Sequence, residues 1–132
     1  MGNLTLRVTL KDGSLDVDQS GNANEMGHGQ SGTITWELTG NAASGSFNAM
    51  NATNPGFDWQ QQPPNGVFGT PALAASGNQI QMTDDNNDPN GTNSTGSWIY
   101  QLYATIGGNP YSTIANLSRP TAVITNPTVV NR

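Results

Sequence analysis

Ser97-Trp98-Ile99-Tyr100-Gln101-Leu102-Tyr103-Ala104-Thr105-Ile106 decides the fold class. Trp98, Tyr100, Leu102, Ala104 and Ile106 occupy alternate positions, so an extended chain carries all five on one face. The same period of two occurs twice more. Leu4, Leu6, Val8 and Leu10 share one face of a first segment, and Ile34, Trp36 and Leu38 share one face of a second. A strand with one apolar face must bury it against another layer. The pattern predicts an all-β chain: an immunoglobulin-like antiparallel β-sandwich of roughly seven to nine strands, with residues 1–132 forming one domain.

The intervening sequence fills in this plan. Asp12-Gly13 predicts a hairpin turn after a strand over Asn3–Lys11, because glycine accepts the positive φ such turns need. Leu15 and Val17 mark a short return strand. Ser20–Gly32 reads as loop, Thr33–Thr39 as strand, and Gly45–Ala49 as a weaker strand with Phe47 inward. Asn51–Gly69 is a long loop in which Pro63-Pro64 excludes a central strand. Thr70-Pro71 before Ala72-Leu73-Ala74-Ala75 predicts one helical turn, with proline at its first position. Gln79–Thr83 is a strand with Ile80 and Met82 inward, and Asp84–Gly96 a polar loop. Tyr111–Ala115 and Thr121–Asn131 complete the set. Pro127 predicts an edge position for the last strand.

Composition excludes whole classes of function. Hydrophobic residues are 33% and charged residues 10%, against about 45–50% and 25% in ordinary domains. Asn, Thr, Ser, Gln and Gly must therefore cover the surface. The net charge is −5, and the four basic residues, Arg7, Lys11, Arg119 and Arg132, form no cluster. A phosphate backbone needs a basic patch, so nucleic acid is excluded as a partner, as is an anionic membrane surface. The absence of cysteine removes disulfides, thiolate metal sites and thiol nucleophiles. Met1 leads into a strand without the charged and apolar regions of a secretory signal. A cytoplasmic location is the expectation.

Four stretches invite a chemical reading. Gly27-His28-Gly29-Gln30-Ser31-Gly32 matches G-x-G-x-x-G, but it leads into a strand, so no helix N-terminus receives a phosphate. Asp84, Asn86 and Asp88 place oxygen ligands at positions 1, 3 and 5, the spacing of a Ca²⁺ loop. Pro89 and Thr95 stand where an EF-hand has Gly and Glu. Weak Ca²⁺ binding is the metal reading and a self-bonded Asx loop the bland one; no other cofactor is expected. Phe57, Trp59 and Phe68, set among Gln and Asn, form a candidate sugar-stacking platform. The bland reading is that they pin a long loop over an open end of the sandwich. Ile99 and Tyr103 are large apolar side chains on the second face of the 97–106 strand, where a solvated face should be polar. They predict either a covering loop or a homodimer formed through that face or the Pro127 edge. No arrangement of nucleophile and base is evident, and the single histidine, His28, sits in a loop.

The run Gly29-x-x-Gly32-Thr33-Ile34-Thr35-Trp36-x-Leu38, the Asp84 loop leading to Trp98-x-Tyr100-x-Leu102, and Asn126-Pro127-x-Val129-Val130-Asn131 resemble the bacterial DP-EP family. More distantly they resemble the AidA/PixA inclusion-body proteins. The family's Asp-Pro pair would stand here as Asn126-Pro127. The resemblance implies a small immunoglobulin-like sandwich of no established activity and carries over no catalytic residue. The expected function is a non-enzymatic interaction or assembly module, with a protein partner or self-association. The alternative is a glycan-binding module that uses the aromatic loop over 55–69, with Ca²⁺ as a candidate aid. An enzyme of unrecognised type is the third reading.

Overall fold

Alternation of apolar residues produces two facing sheets. The computed structural model describes residues 2–113 and 127–132. Among them eleven strands run in chain order: β1 (Leu4–Lys11), β2 (Ser14–Val17), β3 (Glu25–Met26), β4 (Gln30–Leu38), β5 (Ser46–Phe47), β6 (Phe57–Trp59), β7 (Ala72–Leu73), β8 (Gln79–Asn86), β9 (Gly96–Ile106), β10 (Asn109–Ser112) and β11 (Thr128–Asn131). Helical structure in the described residues is limited to 3₁₀ turns at Ser20–Asn22, Gly40–Ala42 and Pro89–Gly91.

The first sheet has the order β2-β1-β4-β8-β7. The second has six strands, in which hydrogen bonding links β10, β5 and β6 to β9, β9 to β11, and β11 to β3. β9 is its long central strand. β11 pairs with residues 96–99 and β10 with 103–106 along one edge. β6 and β5 pair with residues 100–102 and 104–105 along the other. The core lies between the layers. Leu6, Val8, Ile34, Trp36, Leu38, Ile80 and Met82 face Tyr100, Leu102, Ala104, Ile106 and Val129, with Phe47 and Phe57 filling the side. Each fully buried side chain of this size contributes about 1.5–3 kcal/mol. At the centre the Trp36 indole donates to the Tyr100 hydroxyl at 2.8 Å. Burial pushes the Tyr100 hydroxyl far above its ordinary range, so it stays neutral.

Several expectations are corrected. The sandwich is not purely antiparallel, because β1 pairs parallel with β4 and β11 pairs parallel with β3. The chain leaves the first sheet after β2, adds β3 to the second, and returns beside β1. Such a crossover is what a parallel pair needs, and apolar alternation does not encode strand direction. Ala72-Leu73 form a strand on the edge of β8, not a helical turn. Edge pairing and the tight turn closed by the Gly77 amide onto the Ala74 carbonyl outweigh a weak helical start. β11 is flanked by β9 and β3, so Pro127 does not mark an edge. It precedes the strand, where its missing N–H is harmless, and its carbonyl accepts from the Tyr100 amide at 3.1 Å. The 121–126 part of the expected closing strand, and residues 114–115 of the expected 111–115 strand, lie outside the described residues.

β8 is also longer than expected. Asp84, Asp85 and Asn86 belong to it, paired with Gly32, Ser31 and Gln30 of β4. Gly32 makes this possible at a crowded point. A Cβ there would lie 1.7 Å from the Gly2 carbonyl oxygen.

Candidate functional site

The aromatic residues form one continuous row. Phe57 and Trp59 lie on the same face of β6, opposite Leu102 and Tyr100 of β9. Phe57 stacks on Tyr100 with ring centres 5.0 Å apart and also meets Trp36 at 5.0 Å. Trp59 stands edge-on to Phe57 at 4.9 Å. Phe68 lies 5.0 Å from Trp59, and Trp98 lies 5.4 Å from Phe68, edge-on. The row therefore runs from a buried base (Trp36, Tyr100, Phe57) to a half-buried rim (Trp59, Phe68, Trp98). Offset and edge-on contacts at these distances are the favourable ones for π systems.

The backbone fixes this rim from two sides. The carbonyl of Ile99 accepts from the amides of Gln60 and Gln61, while the Ile99 amide donates to Gln61 Oε1 at 3.0 Å. Further along, the Asp85 amide donates to the Val67 carbonyl at 2.8 Å, and the Gly69 amide to the Thr83 carbonyl at 3.1 Å. Residues 67–69 thus strap the open side between the sheets, with Val67 buried beneath. Gln60 Nε2 donates to Asp58 Oδ2 at 3.3 Å on the other face of β6.

Trp98 corrects an expectation, because it was expected in the core. It is half-buried at the end of β9, where its ring folds over Gly96; a Cβ on Gly96 would lie 2.6 Å from that ring. Sequence reasoning placed Phe57, Trp59 and Phe68 together and missed Trp98 as their fourth neighbour. Its position at the strand's first inward site, beside a glycine, was the available signal.

Asp84, Asn86 and Asp88 do not converge as a Ca²⁺ loop. β8 continues its alternation through Ile80, Met82, Asp84 and Asn86, so the inward face turns polar at its end. Asp84 and Asn86 are buried, and each of their bonded oxygens meets a protein donor. Asn131 Nδ2 donates to Asp84 Oδ1 at 2.8 Å. Ser94 Oγ donates to Asn86 Oδ1 at 2.8 Å. The Asn86 amide nitrogen donates to the carbonyls of Met26 and Arg132. Asp88 lies beyond the strand, half-exposed and in the left-handed region at φ 45°. Its Oδ1 accepts from the Ser94 amide at 3.1 Å, which with the Ser94 hydroxyl holds its carboxyl below the ordinary range. His28 Nε2 stands 3.6 Å from Asp88 Oδ2. Among the described residues no group of three or more His, Asp or Glu side chains is placed to hold a metal ion. Asp84 and Asn86 form a buried polar end to the core, with Ser94 and Asn131 as partners the sequence did not reveal, and Asp88 lies outside it. Burial pushes the Asp84 carboxyl up to about 6; the Asn131 amide opposes that shift and the charge of Asp85 adds to it.

Ile99 and Tyr103 are half-buried. Segment 48–61 clasps the backbone of both. The Tyr103 amide donates to the Gly56 carbonyl at 3.2 Å, and the Tyr103 carbonyl accepts from the Asn48 amide at 3.0 Å. On the outer face of the other sheet, a groove of about 430 Å³ is lined by Ser31, Gly32, Thr33, Thr83, Asp84 and Asp85. Gly27–Gly29 form the turn between β3 and β4, as a strand-entry loop should.

Comparison with protein-family models and with curated proteins found no match for this chain.

Proposed function

We propose that this protein is a non-enzymatic binding module whose recognition surface is the aromatic rim Trp59, Phe68 and Trp98, and that its ligand is a neutral glycan. One observation carries the reading: three half-buried rings in a row, with Phe68 touching both Trp59 and Trp98, anchored on a buried aromatic base. Flat apolar ring faces suit the C–H faces of sugars. The rim needs no ordering on binding, because β6, β9 and the 67–69 strap already hold it. The low charge of the chain favours an uncharged ligand.

The test is a glycan array followed by tryptophan fluorescence titration with the best neutral oligosaccharide. Trp98→Ala, checked for an intact fold by its melting curve, should weaken binding by roughly tenfold or more, as loss of an aromatic anchor does. An array without any neutral-glycan signal and unchanged fluorescence would refute the reading. A second reading is self-association through Ile99 and Tyr103, supported by their incomplete burial.

A further inference from the structure

We infer that Asp84 carries a proton in the folded protein at mildly acidic pH, and that this proton completes a two-bond pair with Asn131 that latches β11 onto β8. The geometry leaves little else. Asn131 Nδ2 donates to Asp84 Oδ1 at 2.8 Å and to the Ser94 carbonyl at 3.0 Å, so both of its hydrogens are used. Turning the amide over would set its oxygen against two acceptors, which fixes its orientation. The remaining atoms of the same two groups, Asp84 Oδ2 and Asn131 Oδ1, are buried and have no hydrogen-bond partner among the described residues. Both are acceptors when Asp84 is ionised, and buried acceptors without donors are costly. A proton on Asp84 Oδ2 supplies the missing donor, and Asn131 Oδ1 is the acceptor that lacks one.

Among the described residues, no ion pair to Asp84 is present. Asp85, next along β8, is itself negative and disfavours a second charge. Asp88, on the loop after β8, stands near His28 of the β3–β4 turn. Glu25 of β3 is bonded to Arg132, which follows Asn131. Arg132 is thus engaged by another carboxylate. The latch sits at the end of β11, the strand that joins β3 to β9.

The sign of the pH dependence follows. Below the ordinary carboxyl pKa of 3.8, both folded and unfolded chains hold the proton and the latch contributes fully. As pH rises from 3.8 to about 6, the unfolded chain ionises first and stability falls. Above about 6 the loss levels off. Asp84→Asn places an amide donor where the proton was and does not titrate. Denaturant unfolding from pH 4 to 8 should show the wild-type folding constant dropping on the order of a hundredfold relative to Asp84→Asn, as a shift of about two units requires. Carboxyl ¹³C NMR on the wild type reads Asp84 directly and does not depend on the variant folding. It should show Asp84 still protonated at pH 5. An ordinary Asp84 titration, or parallel stability profiles for the two proteins, would overturn the inference. So would added Ca²⁺ stabilising the wild type but not Asp84→Asn, which would assign the unpaired oxygens to a cation.

Discussion

Trp36 and Trp98 are the same residue type on the same kind of face, yet they do different work. Trp36 has no exposed area, touches Phe57 and Tyr100, and holds the Tyr100 hydroxyl. Trp36→Ala should cost about 3–5 kcal/mol, because the cavity cannot close between two sheets and a buried hydroxyl loses its donor. Trp98 is half-buried and packs against Phe68 alone among the aromatic rings. Trp98→Ala should cost about 1–2 kcal/mol, in line with partial burial. Urea denaturation of both variants checks the pair, and equal losses would contradict the division into buried base and half-buried rim. At this scale the alternation in sequence told inward from outward. It did not tell how far inward, since Trp36 and Trp98 look alike until the neighbouring strands are in place.

β4 shows what holds an element in its sheet. Its apolar residues Ile34, Trp36 and Leu38 were legible as one face. Its first residues, Gln30, Ser31 and Gly32, were read as loop because they are polar and Gly-rich. They are strand because they pair with Asn86, Asp85 and Asp84 and because Gly32 admits the backbone of Gly2. The Thr33 amide then donates to Asn3 Oδ1 at 3.0 Å, leading into the parallel β1–β4 pairing that starts at Leu4 and Ile34. Gly32→Ala should push residues 2–3 off this position, cost roughly 1–3 kcal/mol as an overpacked site does, and speed hydrogen exchange at the Thr33 amide. Unchanged exchange there would mean the close approach is not structural. β8 illustrates the same point. Its polar end, Asp84 and Asn86, continues the alternation of Ile80 and Met82, but polarity concealed it.

For the whole molecule, the open question at the surface is what Ile99 and Tyr103 meet. The 48–61 segment clasps their backbone without fully covering their side chains. The chain carries little like-charge repulsion, with charged residues at 10%, and low charge favours association. Under the self-association proposal, light scattering at high micromolar concentration should show a dimer, and Tyr103→Lys should return it to monomer. A wild-type monomer mass would reject that proposal and leave the glycan proposal standing, since the two surfaces use different residues.

The sequence by itself determined the layered all-β architecture, because a period of two leaves an apolar face that water disfavours. It also determined most of the alternating apolar residues that line the core, Trp98 excepted, and grouped Phe57, Trp59 and Phe68 together. Strand direction, the flanking of β11 by two neighbours, the strand conformation of Ala72-Leu73, and the conversion of an apparent Ca²⁺ loop into a buried polar end were decided by tertiary structure alone. Each depends on partners distant in the chain: β4 beside β1, β3 beside β11, β8 beside β7, and Asn131 and Ser94 against Asp84 and Asn86. No local pattern specifies such a pairing, because its free energy appears only when both segments are in place.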